Sequence, residues 1–297
     1  VSIRSADGTR LHAEIFGPDH GYPIVLSHGI TCSLRAWRNQ IADLAQDHRV
    51  IAFDHRGHGR SGVPGRGGYS LDLLAADLDA VLDGALNHGE KAVIAGHSMG
   101  GIAIIAWADR HRESVPQRVD AVALLNTTSG DLVQELNLLP VPEWLAPVRI
   151  RAARDMIKTI GSLPVPRAAQ WTTRWFAATM VVGLDADPAV AEFIHEMAVA
   201  TPPAGRGGCA RMLADELGPE HLSLEGLTVP TLVVGSQQDR LLPIGQSRKI
   251  AHAAPNLVAL VELPGGHCAS LEHPDVINRH LRDLVASVTA SRCATTP

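Results

Sequence analysis

The stretch Ala92-Val93-Ile94-Ala95-Gly96-His97-Ser98-Met99-Gly100-Gly101 decides how the chain is read. An apolar run with the character of a buried strand leads in. Gly101-Ile102-Ala103-Ile104-Ile105-Ala106-Trp107, with the character of a buried helix, leads out. Between them lies Gly96-x-Ser98-x-Gly100, the pattern of a serine raised on a tight strand-to-helix turn. So sharp a turn strains the backbone at the serine. A side chain at 96 or 100 would collide with a neighbouring strand or helix, so glycine is needed at both. The hydroxyl is then exposed at the mouth of a sheet, and the Met99 amide, at the start of the helix, can donate to a developing negative charge. Three fixed residues recur by chance in a chain with 27 glycines; the strand before and the helix after set this occurrence apart.

Working outward, residues 1–18 have the pattern of a hairpin, with Asp7-Gly8 as the turn pair. Tyr22–Ser27 is a buried-strand run ending in His28-Gly29-Ile30-Thr31, and Leu34, Trp37, Ile41 and Leu44 follow at helical spacing. Arg49–Phe53 is a further strand, followed by Asp54-His55-Arg56-Gly57-His58-Gly59-Arg60-Ser61-Gly62. That segment contains a literal G-x-G-x-x-G, but the dinucleotide fingerprint must open a helix directly. Here the loop continues, and the next helix starts only near Ser70, its expected N-cap. No nicotinamide cofactor is inferred, and Asp54 and Arg56 are read as loop-ordering residues.

Val119–Leu125 is another strand. From 130 to 225 strand-like runs vanish, prolines break the chain, and Trp144, Trp171, Trp175 and Phe176 stand in helical or loop contexts, which predicts a mostly helical insertion. Arg149, Arg151, Arg154 and Lys158 in this region form a short basic face of the solvated kind. Strand character resumes over Thr228–Gly235, with Asp239 just beyond, and Leu257–Leu263 is the last strand before Pro264-Gly265-Gly266-His267. His273-Pro274 opens a final helix, and Ser291–Pro297 is expected to be a frayed tail. Strands alternating with helices predict an α/β protein with a mostly parallel sheet. It divides into a first core part (1–129), a helical insertion (130–225) and a second core part (226–297). His28, Asp54, Ser98, Asp239 and His267 each follow a strand, where such sheets gather their ligands.

Composition narrows the classes. A net charge of −5 gives no reason to expect nucleic acid or an anionic membrane as partner. No apolar run approaches the roughly 18 residues of a membrane span, and the first residues lack a signal-peptide architecture, so a cytoplasmic location is expected. Cys32, Cys209, Cys268 and Cys293 have neither disulfide nor metal-site spacing, and packing thiols are expected. His195-Glu196 is followed by Val199 rather than a second histidine, so a zincin motif is absent and no metal or other cofactor is inferred.

The segments His28-Gly29, Asp54–Ser61, Gly96–Gly101, Ser236-Gln237-Gln238-Asp239 and Gly265-Gly266-His267 together make the chain resemble the α/β-hydrolase superfamily over nearly everything outside the insertion. Ser98, Asp239 and His267 stand in the chain order of that fold. A serine hydroxyl needs an adjacent base, which histidine supplies near neutral pH, and the aspartate holds its tautomer. Asp131, after the preceding strand, is the competing carboxylate; Asp239 is preferred because its loop directly follows its strand. His97 and His28 are read as structural. The resemblance implies that the amide of Ile30 is a second oxyanion donor beside Met99, and that the insertion is a cap over Ser98. Trp144, Trp171, Trp175, Phe176, Leu136, Leu138, Leu139 and Met180 would then wall an apolar pocket or merely fasten the cap.

Serine at 98 excludes the epoxide hydrolases and haloalkane dehalogenases of the superfamily, which carry aspartate there. The expected activity is cleavage of a carboxylic ester or thioester of an apolar small molecule or lipid through an acyl-enzyme on Ser98. The alternatives are carbon–carbon bond hydrolysis of vinylogous diketones, a cofactor-free perhydrolase, and a ligand receptor on the same scaffold.

Overall fold

The computed structural model describes residues 1–135 and 146–295. Its strands are β1 (Ser2–Arg4), β2 (Arg10–Phe16), β3 (Tyr22–Ser27), β4 (His48–Asp54), β5 (Ala92–His97), β6 (Val119–Leu125), β7 (Thr231–Ser236) and β8 (Leu257–Leu263). They form one sheet in the order β1-β2-β4-β3-β5-β6-β7-β8. The hairpin β1–β2 and the β2–β4 pairing are antiparallel, and all pairings from β4 to β8 are parallel. The central strands are apolar runs without alternation because helices cover both faces. On one face α2 (Leu71–Ala85) and α3 (Met99–Arg110) pack Leu74, Leu78, Ile102 and Ile105 against Val25, Ile51, Ile94 and Val122. On the other, α1 (Arg38–Leu44) and the closing helix pack Leu44, Ile277 and Leu281 against Ile24, Leu26, Val93 and Ala95.

Ser70 caps α2 as its sequence suggests, its hydroxyl accepting from the Leu73 amide at 3.1 Å. After α4 (Val115–Arg118) and β6 come α5 (Leu132–Glu135), α6 (Ala146–Ile160), α7 (Gln170–Phe176), α8 (Pro188–Ala200) and α9 (Pro203–Glu216), with no strand among the described residues before β7. The helix α9 seats this segment on the sheet-end loops through glycine. A Cβ on Gly205 would lie 1.9 Å from the carbonyl oxygen of Gly57, so only glycine permits the approach. The basic face of α6 serves packing: Lys158 pairs with Asp215, and Arg154 donates to the Ala214 carbonyl at 3.0 Å. After β7 and β8 the chain adds α10 (Ile244–Ala253), α11 (Ala269–Glu272) and α12 (Pro274–Thr295). The expected frayed tail is instead helical to residue 295, since Ser291-Arg292-Cys293-Ala294 contains no helix breaker.

The loop after β4 is ordered by buried charges. Asp54 accepts from the amides of Leu34 and Arg60, both at 2.8 Å, so it fixes two loops at once. Arg56 makes a two-pronged bond to Asp77 of α2 at 2.6 and 2.5 Å, and reaches Asp7 and the Gly68 carbonyl with Nη1. Neither side chain of the Arg56–Asp77 pair is exposed. Removing one partner strands the other without water, at a cost of about 3–5 kcal/mol. Arg56→Ala should therefore lose about that much stability in urea unfolding, and Arg56→Met/Asp77→Leu should lose less. A loss below about 1 kcal/mol for the single variant would contradict a stranded buried charge at Asp77.

Candidate active site

Ser98 sits between β5 and α3 with φ 52° and ψ −119°. The strain is enforced by contacts. A Cβ on Gly96 would lie 2.6 Å from the Gly100 carbonyl carbon, and one on Gly100 would lie 2.1 Å from the Ser27 oxygen. The Ser98 amide donates to the Leu125 carbonyl at 3.0 Å, and the Thr127 hydroxyl donates to the Ser98 carbonyl at 2.8 Å, so β6 fixes the turn from its other side. Its helix-opening neighbour Met99 presents an amide with no protein acceptor among the described residues, and so does Ile30 on the loop after β3. That loop comes close because residue 29 is glycine: a Cβ there would lie 3.2 Å from the Ser98 Cβ. It is held by His58, whose Nε2 accepts from the Thr31 amide at 3.1 Å while Nδ1–H donates to the Arg56 carbonyl at 3.0 Å.

His267 Nδ1–H donates to Asp239 Oδ2 at 2.7 Å. The other Asp239 oxygen accepts from the amides of Leu241 and Leu242 at 2.9 and 2.8 Å, and Asn126 Nδ2 adds a bond of 3.0 Å to Oδ2. Burial works against the charge on Asp239, but His267 and these donors outweigh it and hold the carboxyl below its ordinary range. The competing carboxylate lies elsewhere: Asp131 pairs with His221 at 2.9 Å and Lys249 at 3.3 Å. His97 turns its Nε2–H onto the His267 carbonyl at 2.9 Å, and His28 bonds the Gly29 carbonyl and the His55 amide, so both act as struts.

Ser98, His267 and Ile30 line one cavity, so the arrangement offers a hydroxyl, an imidazole paired with a carboxylate and a free amide to the same space. The profile of the alpha/beta hydrolase fold matches residues 22–274. The chain belongs to that family. It is 29% identical over 282 residues to the RutD protein of Variovorax paradoxus, spanning 94% of this chain and 97% of the relative. It is 26% identical over 278 residues to 3-oxoadipate enol-lactonase 2 of Acinetobacter baylyi, 92% of each. Among solved structures, a thermophilic esterase from Thermogutta terrifontis matches with a TM-score of 0.76 at 25% identity, over 97% of this chain and 98% of the esterase.

In this α/β hydrolase a cavity of about 850 Å³ opens over Ser98 and His267. Ile30 and Cys32 contribute from the core side, and α6 to α9 supply most of the rest, including Trp171, Trp175 and Phe176. The two tryptophans are 67% and 60% exposed, so they stand at the rim rather than fastening one layer to another. Ala177 and Val181 line the wall where Met180 was expected. Trp144, Leu136, Leu138 and Leu139 lie outside the described residues. Buried Cys32 and Cys268 have thiols pushed upward by desolvation, Cys32 to about 12, which suits packing rather than reactivity.

Two supporting residues escaped the sequence reading. Asn126 joins Asp239 to Ser236, with bonds of 3.0 Å to each. Glu272 accepts the amides of Gly183, Gly266 and Cys268 at 2.8, 2.9 and 3.1 Å, holding the His267 loop against the segment after α7. Only the placement of Asn126 at a strand end hinted at a role.

Asp239→Asn should lower kcat for a p-nitrophenyl ester by about 10³–10⁴-fold while Asp131→Asn stays within about twofold. The reverse ranking would reassign the acid. The buried histidines generate a pH prediction. Desolvation lowers His28 to about 4, and His58 and His97 to about 3. Each is near 6.5 when unfolded. Between these values the unfolded chain binds more protons, so stability falls as pH drops below 6.5 and stops falling near 3. The melting temperature should decline steadily from pH 7 to pH 4, and a flat profile would contradict neutral buried imidazoles.

Proposed function

We propose that this α/β hydrolase cleaves carboxylic esters (or thioesters) of apolar small molecules through an acyl-enzyme on Ser98. The observation that carries this reading is the strained Ser98 turn facing the same cavity as a His267–Asp239 pair bonded at 2.7 Å. Ser98 Oγ attacks the substrate carbonyl as His267 Nε2 takes its proton, Nδ1 being engaged by Asp239. The amides of Met99 and Ile30 receive the oxyanion, the imidazolium returns its proton to the departing alkoxide or thiolate, and water releases the acid. The helices between β6 and β7 act as a cap whose apolar wall selects the substrate. The names of the enol-lactonase and esterase relatives describe attack on an acyl–oxygen bond, which supports the choice of ester over carbon–carbon bond.

A fluorophosphonate probe should label Ser98, and Ser98→Ala should lose labelling along with about 10⁴–10⁶-fold of kcat. In a p-nitrophenyl ester series, kcat/KM should rise close to fourfold per methylene, about 0.8 kcal/mol each, until the cavity is full. Trp171→Ala or Trp175→Ala should move that optimum. An adduct on another serine, or substantial turnover by Ser98→Ala, would overturn the reading; a profile flat with acyl length would move selectivity out of the cap.

A further inference from the structure

The cavity wall is apolar nearly throughout, and among the described residues that line it there is no aspartate, glutamate or lysine. One permanent charge remains, Arg206, in the first turn of α9. Its Nε donates to the Gly161 carbonyl at 3.0 Å, Nη1 to Ala198 at 3.2 Å, and Nη2 to Leu163. Three of its five N–H groups are thus used, all on main-chain carbonyls and none on a carboxylate. These carbonyls fix the fork in place, but their partial charges do not cancel a full positive charge. The first turn of a helix is also the positive end of its dipole, which makes a cation there less favourable still. Burial pushes the arginine pKa down with no carboxylate to oppose it.

The cation lines the same cavity as Ser98 and His267. A second polar group stands on the same wall. His195 is only 4% exposed, lines the cavity, and has an Nδ1 that is buried without a hydrogen-bond partner. It lies one helical turn before Ala198, whose carbonyl Arg206 grips. A buried donor or acceptor without a partner is unfavourable, and a small shift of the ring onto a bound polar group relieves it.

We propose that Arg206, assisted by His195, binds a carboxylate on the substrate, so that the preferred ester is the half-ester of a dicarboxylic acid with its free acid directed to the wall formed by α6, α8 and α9. The proposal rests on the ester-hydrolase reading above. The spare N–H groups of Arg206 meet the carboxylate oxygens, and His195 adds one further hydrogen bond.

The test compares p-nitrophenyl half-esters of adipic, pimelic and suberic acid with the same compounds methylated on the free acid. Spontaneous hydrolysis is subtracted. At the best length the wild type should favour the acid by about 10–100-fold in kcat/KM, the range of a charge-assisted contact. Arg206→Gln should collapse this acid-to-ester ratio, Arg206→Lys should restore part of it, and His195→Phe should lower it severalfold. Should the arginine variants fail to fold, the wild type answers alone: the free dicarboxylate should inhibit about tenfold more tightly than its monomethyl ester. Equal treatment of acid and methylated substrate by the wild type would overturn the proposal. So would an unchanged ratio in Arg206→Gln, including the case where both activities fall together, which would make Arg206 a brace only. Hydrolysis that survives Ser98→Ala would instead refute the ester-hydrolase reading itself, an outcome separable from the ratio.

Discussion

The contact on which the rest of the site depends is the one between the start of α3 and the end of β3. An added Cβ at Gly100 would stand 2.1 Å from the Ser27 oxygen. The helix therefore lies closer to the neighbouring strand than any side chain permits, and the chain must turn into it within one residue. Ser98 absorbs that turn at φ 52°, a conformation that costs of order 1–3 kcal/mol and persists only where the surroundings enforce it. The enforcement comes from three strands at once: β5 ends in the turn, β3 blocks Gly100, and β6 bonds the Ser98 amide and carbonyl through Leu125 and Thr127. The side chain is left facing the cavity because the Ser98 amide and carbonyl are both committed.

The same sheet end gathers four buried histidines whose role is directional hydrogen bonding. His28 and His58 each donate through Nδ1 to a carbonyl and accept through Nε2 from an amide, on opposite sides of the loop that carries Ile30. Such a strut works only as the neutral ring, because a protonated Nε2 would face an N–H with another N–H. Desolvation secures neutrality by depressing both groups far below their ordinary range. His267 differs in its partner. It lines the cavity as His97 does, but its Nδ1 meets a carboxylate instead of a carbonyl. The buried histidines at this sheet end thus divide by what their nitrogens meet.

This division explains what could be read before the structure. Strands in a parallel sheet are near-continuous apolar runs, so β3, β4, β5, β6, β7 and β8 stood out to within a few residues. The residues after each strand were then bound to converge. The elbow could be read because Gly96 and Gly100 report a local steric constraint. Asn126 and Glu272 could not, since each acts on a partner 113 or 89 residues away, and nothing local marks an asparagine or glutamate as a cross-loop tie. The cavity wall was only half legible for a related reason. Tryptophans at 171 and 175 are conspicuous in any sequence, whereas Ile157, Ala210 and Leu213 become wall residues only once α6 and α9 are packed side by side. The approach of Gly205 to Gly57, which seats α9, links two glycine-rich segments that have no reason to be paired on sequence alone.

The cavity wall is tied to the loop that carries His267. The His267 amide donates to the Val181 carbonyl at 2.7 Å, and Glu272 bonds Gly183 on one side and Gly266 and Cys268 on the other. Residues 181–183 therefore share a hydrogen-bond network with the loop that aims the imidazole. The side chains of Trp171 and Trp175 lie outside this network at the exposed rim. Truncating either indole changes what a substrate touches and leaves the main chain in place, which runs from Trp175 through the Thr179 hydroxyl and the Ala177–Val182 bond to the turn that His267 grips. Displacing the 181–183 turn moves the His267 amide with it, and a misplacement of about 1 Å at a reacting group is enough to cost roughly two orders of magnitude in rate. The wall is thus two materials: exposed indoles whose rings can vary, and a bonded inner turn whose position is fixed by the same groups that fix His267.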